Sequence, residues 1–115
     1  MTHTLPSSVK PPSKPTLRKY GITETEWISM WVAQGEKCPI CEEFKTTLVI
    51  DHQHYKNWKK LPADVRKSYV RGIICTYCNQ RIVGRGATVK RLLNGAKYLR
   101  NYEKRRKNEQ TIHPK

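Results

Sequence analysis

Apolar side chains recur at helical spacing in two stretches of this chain and cluster with strand-like composition in two others. Trp27, Ile28 and Trp31 fall on one helical face with Met30 beside them, which predicts a short helix over about 24–34. Thr23 with Glu26 three residues later is a capping-box pattern, and Gly35 supplies a stop. The β-branched run at 46–50 reads as a strand, and 69–74 reads as a second. Residues 55–68 have no clean period, although Pro62 can open one helical turn. The run from Cys75 to Asn79 opens a further helix that stops near Gly84 or Gly86. Val89, Leu92, Leu93, Ala96 and Leu99 then recur at i, i+3, i+4, i+7 and i+10, an amphipathic helix over about 88–104.

The ends of the chain are different. Pro6, Pro11, Pro12 and Pro15 stand among Ser, Thr and Lys, so 1–17 is expected to be a flexible Pro/Lys-rich arm. Order is expected to begin near Tyr20 and Gly21, giving one folded domain over 18–104. Residues 105–115 are expected to be a basic tail that frays. No apolar run approaches the roughly 18–20 residues needed to span a bilayer. The N-terminal stretch has no secretory pattern either, so a cytoplasmic location is expected.

The 115 residues carry 23 Lys and Arg against 9 Asp and Glu, a formal charge of +14. That balance calls for a polyanionic partner, with nucleic acid ahead of an anionic membrane. It says nothing about catalysis. Lys56, Lys59, Lys60, Arg66, Lys67 and Arg71 crowd the stretch after the first strand, interleaved with Tyr55, Trp58 and Tyr69; Arg81 and Arg85 follow. Such a surface gives sequence-tolerant, salt-sensitive phosphate contacts. Trp58 either stacks on an unpaired base or plugs the loop as an apolar side chain.

Four cysteines lie in two Cys-x2-Cys clips, Cys38/Cys41 and Cys75/Cys78, with 33 residues between them. In a chain with no export signal, paired cysteines point to metal rather than disulfides. Four thiolates complete a tetrahedral Zn²⁺ site and leave no position for water, so the zinc is structural. It brackets an insertion that contains both strands.

Asp51, His52 and His54 lie inside that insertion, and Asn79 directly follows a zinc ligand. Each has an ordinary reading: Asp51 as a turn cap, the histidines as surface groups, Asn79 as a first-turn helix residue. Together they allow another. Asp51 and the Asn79 carboxamide offer hard oxygen ligands to an Mg²⁺-type ion, and His52 can take a proton from water near neutral pH. His54, two residues on, shares the His52 side of an extended strand. The His-x-Glu of deaminases and the His-Glu-x-x-His of zincin proteases are both missing.

The joint pattern runs Cys38-Pro39-Ile40-Cys41, Leu48-Val49-Ile50-Asp51-His52-Gln53-His54 and Val70-Arg71-Gly72-Ile73-Ile74-Cys75-Thr76-Tyr77-Cys78-Asn79. It resembles the recombination endonuclease VII family of phage HNH nucleases over about residues 18–102, and Tyr20-Gly21-Ile22-Thr23 and Tyr98-Leu99 share its habits. The resemblance implies an α+β fold, a small zinc-stapled His-Me finger (β-hairpin plus helix) with flanking helices. It implies DNA phosphodiester hydrolysis with Mg²⁺ or Mn²⁺, held by Asp51 and Asn79. His52 is then the general base and His54 the second histidine of the motif. Where the family has a short glycine-bearing turn, the connection from Tyr55 to Tyr69 is long, basic and glycine-free. The reading is an HNH endonuclease of low sequence preference, nicking or cleaving DNA that includes branched forms. A monomer or weak dimer is expected, in the cytoplasm of a bacterial host if phage-encoded. The alternative is a non-catalytic zinc-stapled module that binds DNA or RNA.

Overall fold

In a computed structural model of the chain, the described residues are 9–84 and 86–112, the side chains of 109–112 excepted. They fall into two compact units that divide after Gly84. The first contains α1 (Lys14–Tyr20), α2 (Glu24–Ala33), β1 (Leu48–His52), a 3-10 turn (Trp58–Lys60), α3 (Ala63–Ser68), β2 (Val70–Cys75) and α4 (Thr76–Arg81). The second contains α5 (Val89–Ile112).

The α2 helix starts where the sequence places it. The Glu26 amide donates to Thr23 Oγ1 at 3.1 Å, and the Thr23 amide donates back to Glu26 Oε1 at 2.9 Å. Trp27 and Trp31, one turn apart, stack with ring centroids 6.1 Å apart and are both buried. They form the centre of a core with Val9, Leu17, Ile22, Ile50 and Ile73. A second cluster joins Cys38, Ile74, Cys75 and Cys78, flanked by Leu48, Val49 and Val83.

The α1 helix ends in a Schellman arrangement. Gly21 sits at φ +72°, its amide donates to Arg18 O, and the Ile22 amide donates to Leu17 O. A Cβ at Gly21 would stand 2.1 Å from the carbonyl oxygen of Ala63, so only glycine lets α3 lie this close to the end of α1.

The sheet is one antiparallel pair, with Leu48 opposite Cys75, Val49 opposite Ile74, Ile50 opposite Ile73 and Asp51 opposite Gly72. The next pair is His52 with Val70, which leaves Arg71 as an extra residue on β2. This bulge bends the strand and re-aims Arg71.

Two boundaries differ from the sequence reading. Packed residues occur well before Tyr20: Val9 and Leu17 are 2% and 5% exposed, and α1 occupies part of the expected arm. Two isolated apolar residues among Pro and Lys carry no periodicity, so composition alone reads the segment as solvated. At the other end α5 continues through 105–112 where fraying was expected. It carries no glycine or proline beyond Gly95 to stop it, and Lys, Arg, Glu and Gln favour helix. The rest of the arm, 1–8, and the last tail residues, 113–115, lie outside the described residues.

Candidate functional site

Two turns of chain bring the four cysteines together. The 38–41 turn closes with the Glu42 amide donating to Cys38 O at 2.8 Å, and the Cys38 amide donates to Glu43 O. Cys75 ends β2 and caps α4, its Sγ accepting the Cys78 amide at 3.4 Å. All four sulfurs lie within 4.8 Å of one another, and Cys41 and Cys75 Sγ are 3.9 Å apart. Zn–S bonds of about 2.3 Å make a tetrahedron with edges of about 3.8 Å, so the cluster fits one zinc ion. Burial and the neighbouring thiols push Cys78 up to about 12. At Cys38 burial also raises the thiol, but backbone amides outweigh it and bring it down to about 6. Without a cation the cluster resists holding four negative charges, and a dication removes that conflict.

On β1 the two central candidates adjoin each other. Asp51 is 8% exposed, and the Arg71 guanidinium grips it with both teeth, Nε to Oδ2 at 2.7 Å and Nη2 to Oδ1 at 2.9 Å. The sequence reading assigned Arg71 to DNA; in the structure, with no DNA present, its guanidinium is held by this carboxylate.

His52 lies among rings: Trp58 stacks on it at 4.4 Å and 25°, Tyr20 is at 5.3 Å, and His54 approaches edge-on at 5.2 Å. Burial lowers the His52 pKa below its ordinary 6.5, and His54, Lys19 and Arg71 lower it further against the opposing pull of Asp51. Its imidazole is therefore neutral at pH 7 and able to accept a proton. Burial, with Asp51 adding to it, raises the Tyr20 phenol.

The long 53–69 connection supports this arrangement from below. Arg66 donates to the carbonyls of Lys19 at 2.9 Å, Arg18 at 3.3 Å and Leu61, and so ties the connection to the end of α1. Lys67 pairs with Glu26 on α2. Trp58 is 5% exposed with one face on His52 and Tyr20 at 5.2 Å. These contacts give three of the sequence-predicted DNA residues partners within the protein. Trp58 has no open surface for a base, which favours the plug of the two readings; Arg66 bonds to backbone carbonyls; Lys67 pairs with Glu26. Arg81 lies 6.0 Å over the Tyr77 ring, while Lys56, Lys59 and Lys60 are exposed. Arg85 lies outside the described residues.

Asn79 is half-buried on α4, which packs against both strands, and Asp51 lies on β1, one of those strands. Their side chains supply hard oxygen donors, the set that Mg²⁺ or Mn²⁺ prefers.

The sequence reading misses Gln34, at the end of α2. Its Oε1 accepts the Ile73 amide at 2.9 Å and its Nε2 donates to the Ile73 carbonyl at 2.7 Å. The carboxamide thus bonds to β2 as a neighbouring strand would, beside the bulge that aims Arg71. A Cβ on Gly72 would reach 3.0 Å from Gln34 Oε1, so a side chain there would press on this bond. Only the polarity of Gln34 next to Gly35 hinted at such a role.

The chain is similar to known proteins of one family. The family model described as recombination endonuclease VII matches residues 13–101. The chain is 34% identical over 71 residues to the Gene 59 protein of Mycobacterium phage D29, covering 59% of this chain and 36% of that protein. It is also 34% identical over 71 residues to the Gene 59 protein of Mycobacterium phage L5, covering 59% and 37%. The chain thus spans little more than a third of the length of these curated relatives. No solved structure matches it. With the match spanning both cysteine clips and the Asp51-His52 strand, the chain belongs to the recombination endonuclease VII family.

Proposed function

We propose that the protein is a metal-dependent DNA endonuclease of the HNH type, with β1, β2 and α4 forming a zinc-stapled His-Me finger. The observation that carries this is the placement on one strand of a buried carboxylate, Asp51, next to an imidazole, His52, packed among Trp58, Tyr20 and His54. Family membership supplies the reaction class, and the +14 charge suits a DNA partner, branched forms included.

Asp51 and Asn79 would hold Mg²⁺ or Mn²⁺, which when bound stabilises charge on the phosphate and on the leaving oxygen. His52 accepts a proton from water as the water oxygen bonds to phosphorus and the P–O bond to the leaving strand breaks. Trp58 and Tyr20 fix the ring plane of His52, and His54 discourages its protonation before water arrives. Lys56, Lys59 and Lys60 contact the DNA backbone.

A plasmid-nicking assay with and without Mg²⁺ tests the proposal. Wild type should nick only with the metal, and His52→Ala should lose at least about 100-fold in rate, the low end of general-base contributions, with DNA affinity near wild type. Binding with no cleavage by the wild-type protein would instead indicate the non-catalytic zinc module.

A further inference from the structure

Arg71 is the one residue that the β2 bulge inserts, and the bulge delivers its guanidinium to Asp51. Both carboxylate oxygens are taken, by a planar fork that matches a phosphate as well as it matches a carboxylate. The two partners are unequally placed: the Asp51 side chain is 10% exposed and that of Arg71 is 46% exposed. The carboxylate is therefore fixed, whereas the guanidinium has a solvent-facing side from which a DNA phosphate can reach it.

We propose that Arg71 is a latch on the cation site, holding Asp51 until a DNA phosphate draws the guanidinium away, so that divalent cation and phosphate load together. The inference rests on the reading of Asp51 as a cation ligand. A guanidinium in contact with both oxygens repels a dication, which can enter only in the fraction of molecules where the pair is open; its apparent affinity is reduced by that fraction. A phosphate competing for Arg71 enlarges the fraction. By linkage, the cation must strengthen phosphate binding by the same factor that phosphate strengthens cation binding. The free enzyme thereby avoids carrying a loaded metal site without substrate.

The test measures free Mn²⁺ by electron paramagnetic resonance against the zinc-loaded protein, with and without a DNA duplex. All proteins carry His52→Ala so that the duplex persists. Without DNA, Arg71→Gln should bind Mn²⁺ about tenfold or more tighter than its Arg71 parent. The duplex should tighten Mn²⁺ binding by the parent and barely change that of Arg71→Gln. Arg71→Lys keeps a charge beside Asp51 but has one ammonium for two oxygens, so it should fall between them, and it carries the test if Arg71→Gln does not fold. Mn²⁺ affinities no tighter in either variant, with binding still lost in Asp51→Asn, would overturn the latch alone. Mn²⁺ binding unchanged by Asp51→Asn, with or without DNA, would overturn the Asp51 reading beneath it.

Discussion

His52 is oriented by aromatic surfaces. Trp58 stacks on it, Tyr20 and His54 lean against it, and burial together with His54 lowers its pKa below 6.5. Because the folded state binds this proton less readily than the unfolded chain, the stability linked to His52 is complete above pH 6.5. It falls as pH drops from 6.5 through the folded pKa. An NMR titration of the His52 Cε1–H should give a midpoint below 6.5, moving upward in His54→Asn; a midpoint at or above 6.5 in wild type would contradict the burial argument. Trp58→Ala should cost about 3–5 kcal/mol in urea unfolding, the range for removing a large buried aromatic, and Trp58→Phe much less. At this scale the sequence singled out Asp51 and His52 as candidates, but the packing of their neighbours was not readable from it. A tryptophan among lysines looks like a base-stacking group, and an arginine in a basic run looks like a phosphate contact. Burial of Trp58 and the three backbone carbonyls around Arg66 are tertiary facts with no local pattern.

Among the elements, those with local signals were legible. The Thr23 capping box, the 38–41 turn and the Pro62 start of α3 are all present as read. Thr23→Ala should therefore destabilise the domain by about 1 kcal/mol, measured by thermal or urea unfolding. The α2–β2 junction was not legible, because it depends on Gln34 meeting Ile73 across 39 positions of sequence. Ile73 is fully buried, so Gln34→Ala leaves its amide and carbonyl without the partner they have here. That should cost about 1–3 kcal/mol. A variant as stable as wild type would mean that the strand edge is served by something other than Gln34. The β1 strand also begins two residues later than its β-branched run suggests, since pairing starts where Leu48 meets Cys75.

For the molecule as a whole, the cysteine spacing was the most informative feature of the sequence. It fixes which distant segments meet, and the four sulfurs converge as that spacing requires. Cys75→Ser removes one of the four thiols that could hold zinc, the cap of α4 and a buried side chain together. Structural zinc contributes about 10–16 kcal/mol, so this variant should lose both zinc and cooperative unfolding by circular dichroism. A mild chelator that strips the hard-cation site should stop DNA cleavage and leave zinc content and helicity intact. The proposed cleavage rests on the combination of Asp51, His52 and Asn79, none of which is diagnostic alone. The most direct test of that combination is chemical rescue of plasmid nicking in His52→Gly with added imidazole. If His52 is the base beside Trp58, imidazole should restore nicking in a saturable, Mg²⁺-dependent manner, while Asp51→Asn gains nothing. Nicking by His52→Gly at the wild-type rate without imidazole would contradict the account.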